Sequence, residues 1–266
     1  MKNKISHSYL ILIVVFFLAS AFKNNNASSD KKSLELIQAL EKVNGGWHAL
    51  SKMKDVEFTY DYDDKSKKAK DISKERFIFN GEQIWGEYSE HKVNVMPETE
   101  GIVRQRVIDG KPEASLDGKP LTDQKSIGTS GFLRGASYYW FTMMYKLNDS
   151  GTIHKYLGTE KVNNIMYDKV SLTFENTGKA SDDSFILYFN PKTHLVDRFY
   201  FSLPAFGVND PVLLMELDYE KIDGMYVSTT RRGVFPNAKG GYGLAIVFTY
   251  SNIKFNNGFT KEDLSL

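Results

Sequence analysis

The chain has 266 residues, 41% of them apolar, with 34 basic against 33 acidic side chains and a formal net charge of +1. That apolar share excludes a disordered or collagenous chain, and near-neutrality without a Lys/Arg run leaves nucleic acid no cation cluster to bind. There is no cysteine, which excludes disulfides, thiol catalysis, iron–sulfur clusters and thiolate zinc sites.

At the N-terminus, Lys2 and Lys4 precede an unbroken apolar stretch from Tyr9 to Ala19, and Ala19-Ser20-Ala21 has the form of a cleavage site. Residues 1–21 therefore read as a secretory signal peptide, too short even when extended to Phe22 for the roughly 20 residues of a spanning helix. Ala21 stands where a lipobox needs cysteine, so acylation there is excluded. The expectation is an exported protein, periplasmic or secreted, cleaved after Ala21. Residues 22–32 read as a flexible polar tether, and residues 33–266 as a single domain.

Leu36, Ile37, Leu40 and Val43 place an apolar stripe on one helical face, and Asn44-Gly45-Gly46 supplies the positive-φ residue that closes the last turn. From Val56 the period becomes two, with Val56, Phe58, Tyr60 and Tyr62 alternating with Glu57, Thr59 and Asp61. Similar strand patterns occupy 76–80, 83–88, 92–96, 102–108, 167–175, 184–189, 195–203, 212–222, 225–235 and 244–255. Asn80-Gly81, Asp109-Gly110, Asp117-Gly118, Asn190-Pro191 and Asp223-Gly224 supply tight turns, which join neighbours antiparallel. No strand–helix alternation suggests a parallel sheet. The predicted fold is mainly β: a strongly curved antiparallel sheet, an incomplete barrel, with an N-terminal helix and a central helix over its concave face.

That central helix is predicted from Phe132 to Leu147. Phe132, Leu133, Ala136, Tyr139, Trp140, Met143, Met144 and Leu147 share a broad apolar face, and Tyr138, Phe141 and Tyr145 form a second ridge. Arg134, Ser137 and Thr142 are placed on the polar side. A helix apolar on two sides needs two partners. It is expected to act as a lid over an apolar cavity, where methionines repack around variable shapes.

No constellation names a reaction. Gly128-Thr129-Ser130-Gly131 lacks the spacing of a nucleophile elbow, and His7, His48, His91, His154 and His194 lack zinc-protease spacing. Gly240-Gly241-Tyr242-Gly243 leads into a strand rather than the helix a phosphate loop requires. Three acid pairs, Glu98 with Glu100, Asp61 with Asp63, and Asp182 with Asp183, keep open a hydrolase reading of glycosidase type. An envelope scaffold is the other alternative. The chain is read as non-catalytic, with no metal and no cofactor.

Aromatic content, with 3 Trp, 15 Tyr and 18 Phe, suits a lined interior as well as a filled core. The candidate lipid-binding residues are Phe58, Phe79, Trp85, Phe132, Tyr139, Trp140, Met143, Met144, Phe201 and Phe248. Arg231 and Arg232 are adjacent in a strand, so one must point inward; the pair is the candidate headgroup anchor.

Three stretches together resemble the outer-membrane lipoprotein carrier (LolA-like) family: residues 39–47 leading to Val56-Glu57-Phe58-Thr59, the strand–turn–strand of residues 188–196, and Asp223-Gly224-Met225-Tyr226 with the closing stretch from Tyr250 to Asn257 and Gly258-Phe259. The resemblance implies an incomplete barrel whose helices cover a cavity for acyl chains carried through the periplasm. The expected partners are a lipid or acylated protein, envelope proteins and, transiently, the membrane, but not nucleic acid.

Overall fold

The computed structural model describes residues 29–175, 183–237 and 240–266. The signal-peptide reading and most of the tether lie outside the described residues. The described part of the tether already enters structure: helix α1 spans Lys31–Asn44, because the Asp30 carboxylate accepts from the Ser33 amide at 2.8 Å and caps the first turn. At its other end Gly45 takes φ 84° and donates its N–H to the Glu41 carbonyl. A short helix α2, Gly46–Lys52, follows at once.

The thirteen strands among the described residues form one antiparallel sheet: β1 Asp55–Asp64, β2 Ala69–Ile78, β3 Gln83–His91, β4 Val103–Ile108, β5 Lys111–Leu116, β6 Lys119–Pro120, β7 Thr152–Val162, β8 Ile165–Phe174, β9 Phe185–Phe189, β10 Val196–Leu203, β11 Val208–Ile222, β12 Met225–Pro236 and β13 Tyr242–Phe255. Their order is β6-β5-β4-β3-β2-β1-β13-β12-β11-β10-β9-β8-β7. The outer strands β6 and β7 do not pair with each other, so the sheet bends without closing. Asp109-Gly110, Asp117-Gly118 and Asp223-Gly224 each place both turn residues at positive φ, the hairpin geometry that matches strand twist.

Residues 92–96, expected as a strand, form no strand and bend over 92–95, because the Asp71 carboxylate takes the amides of Val93 and Asn94 out of any ladder. Strands β5 and β7 add pairings that the residue pattern did not suggest.

The central helix α3 runs Gln124–Thr142 and continues as a 3₁₀ turn over Met143–Tyr145. It starts earlier than its apolar residues imply, since Asp123 caps it by accepting from the Ser126 amide at 2.9 Å. Its two ridges do find two partners. Ala136, Trp140, Met143 and Met144 pack into one core with α1 and β8–β13, while Tyr138, Phe141 and Tyr145 pack into a second with β1, β2 and α2.

Candidate functional site

The concave face of the sheet and α3 enclose a buried polar seam. At the helical period, Ser130, Arg134 and Ser137 line up along one stripe of α3 between its apolar ridges. All three are buried, as is Thr142, so the polar side of the helix is turned to the sheet. On β2, Asp71, Ser73 and Glu75 share the inward face and are buried too.

The Arg134 guanidinium donates to the Glu75 carboxylate and to the Tyr88 hydroxyl, and lies 5.2 Å from the Tyr88 ring centroid. Ser73 donates to Glu75 at 2.5 Å and Ser137 to the same carboxylate at 3.3 Å. Burial opposes the arginine's charge, and Glu75 and Tyr88 more than offset it, so the guanidinium stays charged. Gly86 belongs to this design, because a Cβ there would overlap the guanidinium. Nearby, burial raises the Asp71 pKa against the pull of two backbone amides.

Arg231 is the second buried guanidinium, only 3% exposed. Between Asp218 opposite Thr230 and Glu220 opposite Val227, β12 holds one residue more than β11. That bulge turns Ser228 inward beside Arg231. The Ser228 hydroxyl accepts from Nε at 2.9 Å and from Nη2 at 2.7 Å. The guanidinium lies 5.9 Å from the Trp140 ring centroid and 5.3 Å from that of Tyr250. Arg232 points the other way and pairs with Asp218 at 2.9 Å, so it is not part of the interior.

The aromatic candidates divide as the two faces divide. Phe58 stacks on Phe141 with centroids 4.9 Å apart, and Phe79 meets Trp47 edge-on at 6.2 Å, both in the second core. Trp140 stacks on Phe199 at 5.9 Å and meets Phe201 edge-on at 5.6 Å in the first core, which also holds Met143, Met144 and Phe248. Tyr139 is half-buried 5.6 Å from Trp140, and Phe132 is half-buried on α3. Trp85 is a correction: it lies on the opposite face, against Arg76 at 4.9 Å, where its indole N–H donates to the Ser265 carbonyl at 2.7 Å. The sequence reading missed Glu75, Tyr88 and the inward turn of Arg134; the charged residue amid apolar ridges was the available signal.

Little space is left against α3. A void of about 40 Å³ remains beside α3, bounded by Tyr60, Tyr88, Arg134, Ser137, Trp140 and Phe248. That holds about three waters, against the 300–1,000 Å³ of ordinary ligand pockets. Met143 is 2% exposed and does not border it. The standing cavity expected from the sequence is therefore filled in this conformation, by rings from both cores and from α3.

Acid pairs fare poorly as catalysts. Glu98 and Glu100 lie in the loop between β3 and β4, and Asp61 and Asp63 form ion pairs with Lys70, at 3.0 and 3.5 Å. Asp182 lies outside the described residues. The inward pair Asp71 and Glu75 stand four residues apart on one strand, about 13 Å, beyond glycosidase spacing, and both are engaged in hydrogen bonds. Among the described residues, no cluster of three His, Asp or Glu could hold a metal, and no helix is long and apolar enough to cross a membrane.

A family of unknown function, DUF6503, matches the sequence over residues 7–207. No curated protein matches it. Among solved structures the chain is similar to a DUF1329 family protein from Desulfovibrio piger, at 15% identity and a TM-score of 0.53, covering 88% of this chain and 96% of that one. It is also similar to a LolA superfamily protein from Nitrosomonas europaea, at 10% identity and a TM-score of 0.50, covering 88% and 97%. At such identities the likeness is one of fold, and the open curved sheet with helices on its concave side is the fold these proteins share.

Proposed function

We propose that this chain, which belongs to the DUF6503 family of unknown function, is an exported, non-catalytic carrier or binding protein for lipids or the acyl chains of lipoproteins. Residues 33–266 act as one domain in this reading, delivered across the inner membrane by residues 1–21. The supporting observation is α3 itself, which is apolar on both flanks and wedged between two aromatic cores, yet held to β2 through a buried polar seam. The shared fold and the sequence resemblance to lipoprotein carriers point the same way.

Each buried methylene contributes about 0.8 kcal/mol, so a ~14-carbon chain gains on the order of 10 kcal/mol by leaving water. The filled interior offsets that gain. For a chain to enter, Trp140, Met143 and Met144 must give way, and on release they return to the contacts they make now. A carrier of this kind binds reversibly because its own helix competes for the site. Arg231 anchors the polar end, and the apolar candidates other than Trp85 line the path.

The test is native mass spectrometry of the full-length protein purified from an envelope-containing host, before and after delipidation and reloading with phospholipid vesicles. The reading predicts discrete lipid-mass adducts that delipidation removes and reloading restores. Protein that stays empty under both conditions contradicts it.

A further inference from the structure

The two buried arginines are treated differently. Arg134 has Glu75, whereas Arg231 has no carboxylate within ion-pair distance among the described residues. Its Nη1 has no hydrogen-bond partner, and its cross-strand neighbours are Leu217 and Phe248. A buried lysine or carboxylate would shed such a charge by titrating, but a guanidinium cannot. An uncompensated cation in apolar surroundings is costly, and a counter-anion from outside the chain relieves that cost.

The flanking groups repeat the pattern. Trp140 Nε1 and Tyr250 OH are also buried without partners, on the two rings that the guanidinium adjoins. Burial raises the Tyr250 pKa, with Arg231 opposing, so the phenol keeps its proton and its capacity to donate. Three unpartnered donors and one positive charge thus lie on neighbouring side chains, and one of these, Trp140, also borders the void. We propose that Arg231, Trp140 and Tyr250 form a receptor for the carboxylate of a fatty acid. One unbalanced positive charge matches a monoanion. From there the tail follows Phe201, Met143 and Met144 through the first core. This assignment rests on the carrier reading and names the ligand class for that same interior.

The test titrates delipidated full-length protein with dodecanoate and with 1-dodecanol, which share a chain and differ in the head, in wild type and in Arg231→Met. A charge-assisted contact predicts a preference of wild type for the acid of about 10- to 100-fold. Arg231→Met is expected to lose that preference, its affinity for dodecanoate falling to about that for dodecanol. Ligand-free Arg231→Met should melt no lower than wild type, since it removes an uncompensated buried charge. Equal wild-type affinity for acid and alcohol overturns the assignment and leaves the carrier reading standing; failure to bind either overturns both. A variant that melts well below wild type marks Arg231 as structural and overturns the assignment alone.

Discussion

Glu75 and Arg134 form the polar contact on which the position of α3 turns, and removing one partner differs sharply from removing both. Glu75→Ala strands a buried guanidinium and should cost about 3–5 kcal/mol in urea unfolding. The Glu75→Leu/Arg134→Met double substitution fills the seam with apolar groups and should come out near wild type or more stable. If the single and double variants lose the same stability, the pair is not the fastening described here. Residue patterns carried part of this information. Strand alternation required one of Arg231 and Arg232 to face inward, and burial identifies Arg231. Alternation does not say which face is concave. Nor does it separate Trp85 from the inward rings: its indole meets Ser265, while Phe259 and Leu264 reach Arg76 and Arg106 on the same outer face, all from the far end of the chain.

Elements whose signals are local were readable, and those set by distant partners were not. The Asp-Gly turns and the stop at Gly45 follow from backbone geometry alone. The bulge between Tyr156 and Thr159 breaks the alternation of β7, which hid that strand, and the Gly-, Ser- and Thr-rich start of α3 resembles a loop. One junction among these elements titrates. His154 on β7 is hydrogen-bonded through Nε2 to the Leu147 carbonyl at 2.8 Å, just beyond α3, and its Nδ1 lies 3.4 Å from Ser29 ahead of α1. Burial pushes its pKa below the usual 6.5, with the Leu147 carbonyl opposing. A folded pKa below the unfolded one means that protonation favours the unfolded chain. Its contribution is complete above about pH 6.5 and is lost as pH falls from there toward the folded value. Melting temperature should therefore drop between about pH 7.5 and 5.5 in wild type, and less in His154→Gln, which retains an N–H donor. Asp71, raised by burial, gives a slope of opposite sign above its usual 3.8, common to both proteins. Equal slopes would remove His154 as the source.

At the scale of the whole molecule, the open antiparallel sheet and its covering helices followed from turn chemistry and periodicity, but the state of the interior did not. Whether a curved sheet holds a hollow depends on how rings from distant elements interdigitate, as Phe58 does with Phe141, Phe77 and Tyr250. The filled interior makes movement of α3 the central claim, because without it no acyl chain fits. The absence of native cysteine allows a clean test. A Cβ added at Gly131 on α3 would lie 3.1 Å from that of Pro112 on β5, near disulfide range, so a Gly131→Cys/Pro112→Cys pair can fasten the helix to the sheet. The decisive measurement is lipid uptake from vesicles by this variant, oxidised and then reduced, counted by native mass spectrometry. Uptake should be absent in the oxidised protein and return on reduction; equal uptake in both states would contradict the claim that the helix must leave the sheet.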